Sequence, residues 1–316
     1  MSRLRAGVIG VGYLGRFHAQ KYAALENVDL VGVADVSRER AEEVATEVGT
    51  TAFTDYRELL AHVELVSIVV PTQYHFPVAK ECLKAGCHIL LEKPVTQTVA
   101  EAEELIRMAA ERHLVFQVGH LERFNPAILA LRGVLKNPLF IESHRLAPFK
   151  SRGTDVNVVL DLMIHDIDII LNMVHSTVKV VNSVGVPVLS NEVDIANARL
   201  QFENGCVANV TASRASREAM RKIRIFQSDA YISIDYQERK IAIFRKGGEG
   251  FPIPGLPNVT MEEKSFEQGD ALLAEIRAFI DAVGTGTAPP VTGEDGKRAL
   301  ELALQINKKL WHEVSP

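Results

Sequence analysis

The sequence predicts a doubly wound α/β domain followed by an α+β domain built on an open, mostly antiparallel sheet. Three observations carry this. Strand and helix patterns alternate regularly over the first 120 residues. The strands there are continuous aliphatic runs such as VSIVV, and beyond Phe124 the alternation gives way to strands in quick succession. Continuous apolar strands imply that both sheet faces are covered, as in parallel sheets with crossover helices. Strand–helix repetition over this length gives the doubly wound form.

In chain order, strands are expected at 5–9, 30–35, 51–53, 65–70, 88–92 and 115–119, with amphipathic helices at 14–25, 38–48, 56–62, 76–85 and 99–112 between them. One long apolar helix follows at 158–174, then strands at 178–188, 195–202, 206–213, 223–227, 230–235 and 240–245. Turn signals such as Asn204-Gly205 mark hairpins. The Gly/Pro-rich stretch 247–258 reads as a loop, and helices at 268–283 and 294–314 end the chain. The expected domains are 1–121 and 122–316.

Composition excludes several function classes. The 316 residues carry 35 basic and 40 acidic side chains, a net charge of −5, with no basic stripe to meet nucleic acid or an anionic membrane. Cys82, Cys87 and Cys206 form no CxxC pair, which argues against a disulfide framework or structural zinc and for a reducing compartment. Arg3 and Arg5 before AGVIGVGYLG imitate the start of a signal peptide, but four glycines interrupt the apolar part and no small-residue cleavage site follows. No apolar run reaches the roughly 18 residues of a membrane span. A cytoplasmic, soluble protein is expected.

Gly10-Val11-Gly12-Tyr13-Leu14-Gly15 is a GxGxxG sequence that follows an apolar strand and opens a helix. Gly10 permits the tight turn, Gly12 lets backbone approach a pyrophosphate, and Gly15 allows close helix–strand packing. The free N–H groups and positive dipole end of the helix, at Tyr13 and Leu14, would face the phosphates. Asp35 ends the second strand, 20 residues after Gly15, where a carboxylate accepts from the adenosine ribose hydroxyls and repels a 2′-phosphate. NAD is therefore favoured over NADP, with Ser37 in the same turn and Arg38 and Arg40 close enough to soften the preference.

Glu92-Lys93-Pro94 closes the fifth strand at its carboxyl end, where such sheets place their ligands. Desolvation after the run HILL would lower the Lys93 ammonium pKa and fit it for proton transfer, although an ordinary solvated lysine before a turn proline is the plain alternative. Thr72 and His75 follow the fourth strand at the same edge. Helix 158–174 is apolar at 12 of 17 positions, with Asp161, His165, Asp168 and Asn172 at spacings of four, three and four on one face and Asp166 beside them. A polar stripe on a buried helix needs partners or a function. It reads as a substrate wall with His165 in proton-transfer reach, as a self-satisfied bracing network, or as a metal site, the last disfavoured because no further ligand group has metal spacing. His120, Glu122, Arg123 and Asn125 fall at the hand-over between domains, Arg123 reading equally as a ligand contact or an interdomain salt bridge.

These motifs, in this order and over essentially the whole length, resemble the Gfo/Idh/MocA family of sugar and cyclitol dehydrogenases, whose first domain is a Rossmann fold. The residues that carry the likeness are GVGYLG, the Asp35 strand end, PTQYH, EKP and DLMIH, of which EKP with D-x-x-x-H is far more specific than the glycine motif. The resemblance implies a catalytic group of Lys93, Asp161 and His165, with the aspartate positioning and tuning the lysine. It also implies cofactor contacts from Gly10, Gly12, Tyr13, Leu14, Gly15, Asp35, Ser37, Arg40, Thr72, His75, Glu92, Lys93 and His120. GHLERFNPA and LDLMIHDIDIIL resemble the nucleotide-sugar branch, implying NAD-dependent oxidation of the C3 hydroxyl of a UDP-sugar, such as UDP-N-acetylglucosamine or its glucuronic form, ahead of transamination in lipid A assembly. Substrate contacts are then expected from Lys93, Glu122, Arg123, Asn125, Lys150, Arg152 and His165, with Lys150 and Arg152 meeting the diphosphate. A dehydrogenase of free inositol or aldose is the enzyme alternative, and an NAD(H) sensor the non-enzymatic one. Alternating strands such as NARLQF and VANVTAS leave one sheet face exposed in a monomer, so a homodimer or homotetramer is expected.

Overall fold

The computed structural model describes residues 3–149, 157–251, 258–267 and 269–313. The chain divides into two compact units, one of Met1–Leu121 with Asp270–Leu300, the other of Glu122–Gly269 with Glu301–Pro316.

The first unit is an alternation of β1 (Leu4–Ile9), α1 (Tyr13–Ala23), β2 (Val28–Ala34), α2 (Arg38–Val48), β3 (Thr51–Phe53), α3 (Tyr56–Leu60), β4 (Leu65–Ile68), α4 (His75–Lys84), β5 (His88–Glu92), α5 (Val99–Glu111) and β6 (Phe116–Gly119). All its strand pairs are parallel, in the order β3-β2-β1-β4-β5-β6. The strand order reverses between β1 and β4, so their carboxyl ends open the crevice where ligands bind in such sheets. Local signals agree with the elements. Ser37 caps α2, Gly49 ends it in the left-handed region, and Thr98 with Glu101 forms a capping box on α5.

The second unit contributes α6 (Pro126–Leu129), β7 (Pro138–Leu146), a π-helical turn at Val159–Met163 running into α7 (Ile164–Val174), β8 (Val178–Val186), β9 (Ile195–Phe202), β10 (Val207–Ser213), β11 (Met220–Gln227), β12 (Ala230–Asp235), β13 (Lys240–Phe251) and β14 (Val259–Ser265). The eight strands run β14-β13-β12-β11-β7-β10-β9-β8, antiparallel except for β7 beside β10. Ile141, Val210, Ile223, Ile225, Ile232 and Ile234 are buried on one face of this sheet, where β7 and β10 meet α7.

The last two helices are α8 (Ala271–Thr285) and α9 (Gly293–Glu313). The expected second domain of 122–316 needs correcting here, because residues 270–300 group with the first unit. Leu272, Ile276, Phe279 and Ile280 of α8 pack into one core with Ala6, Val8, Tyr22 and Leu90, which a reading in sequence order cannot foresee. Three local readings also change. The helix at 158–174 opens with a π-helical turn, β7 and β14 were not anticipated, and β13 runs on through residues 247–251, which had read as loop. Residues 252–257 of that stretch lie outside the described residues. The three cysteines are buried and unbridged. No helix among the described residues is long and apolar enough to cross a membrane.

Candidate active site

The glycine turn is shaped by what surrounds each glycine. Gly10 sits at φ 84°, and a Cβ there would lie 2.8 Å from the Val69 carbonyl oxygen. At Gly15 a Cβ would come within 1.9 Å of the Gly10 carbonyl oxygen, so nothing larger than glycine lets α1 start this close to β1. Gly12 has open space on its Cβ side and is the N-cap of α1 without any side-chain cap bond. The first-turn amides of α1 are thus left to a ligand, and no acidic side chain competes there. Tyr13 is exposed and Leu14 half-buried beside them.

Asp35 is buried, and its two carboxylate oxygens accept from the backbone N–H groups of Val11 (3.0 Å) and Ser37 (2.9 Å). It therefore ties the glycine turn to the turn after β2. Ser37 itself caps α2, while Arg40 lies 3.7 Å from Asp35 and Arg38 turns away to Glu42. A cavity of about 330 Å³ opens here, lined by Gly10, Asp35, Arg40, Tyr56, Val70 and Tyr74 among others. An open cradle at Gly12, uncapped amides and a carboxylate at the strand end fit a dinucleotide with an unphosphorylated ribose. Asp35→Ser is expected to raise the NADP-to-NAD ratio of kcat/KM by about 10- to 100-fold, the worth of one charge-assisted contact. Steady-state kinetics with both cofactors measures this, and the ratio separates cofactor choice from general loosening of the turn.

At the end of β5, Glu92 is buried and Lys93 half-buried, and the Lys93–Pro94 peptide is cis. A Cβ on Gly119, opposite Glu92 on β6, would fall 2.8 Å from Glu92 Oε1, so that glycine makes room for the carboxylate. Glu92 Oε2 accepts from the Lys93 N–H at 3.2 Å, and Oε1 lies 3.3 Å from His18 Nε2 on α1. Burial opposes ionisation of Glu92, but His18 and the Lys93 charge outweigh it and hold the carboxyl below its usual range. His75, expected among the cofactor contacts, is held by the fold through both ring nitrogens. Its ring is buried, with Nδ1 2.8 Å from the Pro94 carbonyl and Nε2 2.9 Å from that of Val70, so it pins the lysine loop to the end of β4. Desolvation pushes the imidazole pKa down, leaving a neutral ring that donates to one carbonyl at a time. Thr72 is half-buried in the turn before it, and His120 is buried just beyond β6.

In the second unit the polar stripe divides. Asp161 lies in the π-helical turn and His165 in the first turn of α7, both half-buried, as is Asn172. Such turns are frequent at functional sites. Asp168 belongs instead to a buried pair, accepting from Arg123 Nε at 2.6 Å and Nη2 at 2.8 Å. Asp166 likewise accepts from Arg145 Nε at 2.6 Å and from the Ser143 hydroxyl at 2.9 Å. Glu122 takes Arg145 from the other side at 3.0 Å, and Asn125 caps α6. Arg123 is therefore paired with Asp168 inside its own unit, and Glu122 is engaged with Arg145 and with the Asn125 amide. Lys150 and Arg152 lie outside the described residues.

One group escaped the reading of the sequence. Among the described residues, the three ligand-type side chains that converge on one point are His18, Glu92 and Glu275 of α8, and not the stripe. The signal was present at Glu275, a carboxylate on the apolar face Leu272, Ile276, Phe279, Ile280 of an amphipathic helix.

Comparison with known proteins accords with this geometry. Residues 4–120 match a family model described as "Oxidoreductase family, NAD-binding Rossmann fold", and residues 131–233 match the GFO/IDH/MocA C-terminal domain. The chain is 45% identical over 307 residues to a UDP-N-acetylglucosamine 3-dehydrogenase of Acidithiobacillus ferrooxidans (strain ATCC 23270), covering 97% of each. A solved structure of the enzyme of that name from Acidithiobacillus ferrooxidans superposes with a TM-score of 0.95 at 44% identity, covering 100% of both chains. A myo-inositol 2-dehydrogenase of Thermotoga maritima is 26% identical over 99% of this chain and 98% of its own. The chain belongs to the GFO/IDH/MocA family of oxidoreductases, with NAD as its cofactor.

Proposed function

We propose that the protein oxidises the C3 hydroxyl of UDP-N-acetylglucosamine with NAD, giving the 3-keto sugar. The observation that carries this reading is full-length identity of 45% to an enzyme of that name, well above the 26% to the inositol dehydrogenase. When bound, NAD supplies the nicotinamide that accepts hydride. The chain supplies the rest. The α1 amides and glycine turn hold the pyrophosphate, and Asp35 takes the adenosine ribose. Lys93 stabilises the developing oxyanion, a type of contribution commonly worth about 3–4 kcal/mol. His165, or Lys93 through a short relay, removes the hydroxyl proton, and Asp161 positions Lys93 and sets its charge.

The test is NADH formation with a panel of UDP-sugars, free sugars and inositols. Turnover confined to UDP-sugars, with UDP as a competitive inhibitor, supports the reading. Turnover of free inositol without UDP inhibition favours the cyclitol alternative, and binding of NAD without turnover of any sugar favours a sensor.

We propose a homodimer or homotetramer formed through one face of the second unit's sheet. Met261, Phe244, Tyr231, Phe226 and Phe140 occupy one register row across five adjacent strands. The four rings stand 4.9–5.8 Å apart in sequence along it, Phe226 and Met261 being exposed. The row covers itself when a second copy docks about a two-fold axis. Phe226→Glu is expected to convert a dimer or tetramer to a smaller species in sedimentation; a native protein that is already monomeric refutes the assembly.

A further inference from the structure

Behind Lys93 lies a chain of buried polar groups confined to the first unit. The Tyr22 hydroxyl and Ser67 Oγ are 2.9 Å apart, and Ser67 Oγ is 3.1 Å from His18 Nδ1. His18 Nε2 then faces Glu92 Oε1 at 3.3 Å. If Tyr22 donates to Ser67 and Ser67 to Nδ1, the ring proton sits on Nε2, which lies near Glu92 without making a hydrogen bond to it. The side chains of Tyr22, Ser67 and Glu92 each have a hydrogen-bond partner among the described residues.

Glu275 does not. Its side chain is wholly buried, and neither carboxylate oxygen has a hydrogen-bond partner among the described residues. Gln117 Nε2 donates at 3.0 Å to the backbone carbonyl of Glu275, which fixes the residue over β6. One Glu275 oxygen, one Glu92 oxygen and a His18 nitrogen all lie within 4.8 Å of one another. An ionised carboxylate without donors in such a place is strongly disfavoured and takes up a proton instead.

We propose that Glu275 is a positioning residue for the oxidation, a carboxylic acid that keeps its proton at neutral pH and shares it with Glu92. The shared proton fixes the Glu92 carboxylate in its slot beneath Gly119 and so sets the electrostatic surroundings of Lys93. The charged or titratable groups facing Glu275 are His18 and Tyr22 from α1 and Glu92 from β5, with Lys93 acting through Glu92. Lys21, also on α1, is held at the rim by Asp270 at 2.6 Å. Burial pushes the Glu275 carboxyl well up from its ordinary value, and the Glu92 charge pushes it further. The kinetic part of the proposal rests on Lys93 taking part in the chemistry; the protonation of Glu275 does not.

The experiment has a spectroscopic and a kinetic arm, both on the full-length protein. Infrared spectra at pH 8 are expected to show the carbonyl stretch of a protonated carboxylic acid that disappears in Glu275→Gln. Because the folded state retains a proton that the unfolded chain gives up, native stability falls as pH rises above the usual glutamate range. The stability of Glu275→Gln relative to the native protein should therefore rise with pH. In kinetics, Glu275→Leu removes the donor and is expected to displace the pH profile of kcat by about one unit, and Glu275→Gln, which restores an N–H donor, should bring it back. Absence of the infrared band, or identical pH profiles for Leu and Gln, overturns the proposal. So does a stoichiometric divalent metal that a chelator removes and that Glu275→Gln fails to bind. If the band is present but Lys93→Ala turns over normally, the protonation stands and the catalytic reading of Lys93 falls.

Discussion

Lys93→Ala is expected to lower kcat by about two to four orders of magnitude while NAD binding survives. The lysine stands at the carboxyl end of β5, next to Glu92, whereas the glycine turn and Asp35 that would hold NAD belong to the loops after β1 and β2. Truncating the side chain leaves those loops untouched, so fluorescence titration with NADH should report near-native affinity. Loss of kcat and of kcat/KM in equal measure would mark an interaction made in the transition state. His165→Ala is expected to behave similarly, and the double variant to cost little more than either single one, since groups that act on one reaction are grossly non-additive. Additive losses would separate the two residues into independent roles, and undiminished turnover in Lys93→Ala would remove the lysine from the chemistry.

How much of this could be read from the sequence depends on which face each residue serves. The parallel sheet was legible because Val8, Val33, Ile68, Leu90 and Val118 lie in strands buried on both sides, which leaves an uninterrupted aliphatic signature. β7, PLFIESHRL, was illegible although it is central, because Ser143 and Arg145 point inward to Asp166 and the alternation of apolar and polar residues is lost. β14 was missed for the opposite reason: it is an edge strand, half or fully exposed, with Glu262, Glu263 and Lys264 in succession. The cofactor turn was legible residue by residue because backbone geometry demands glycine at fixed places. The partners of Asp166 and Asp168 were not, since Arg145 and Arg123 reach them through the fold at separations of 21 and 45 residues. Spacing along a helix shows which side chains share a face and says nothing of what arrives opposite.

The Arg123–Asp168 pair sets up a test of whether the arginine also touches substrate, a role the sequence left level with an interdomain salt bridge. Asp168 is 2% exposed and Arg123 9%, and the guanidinium meets the carboxylate with two nitrogens at 2.6 and 2.8 Å. Removing the guanidinium leaves the buried Asp168 carboxylate without the charge that compensates it, so Arg123→Ala is expected to destabilise the protein by about 3–5 kcal/mol in chemical denaturation. Replacing both with apolar side chains of similar volume, Arg123→Met with Asp168→Leu, should recover most of that loss, because two charges no longer have to be desolvated. The double variant then isolates function from stability. If Arg123 only braces its own unit, the recovered protein has a native KM for the UDP-sugar. If the arginine touches substrate, KM rises even though stability has returned, and no single substitution could distinguish these outcomes because a destabilised enzyme loses affinity for either reason.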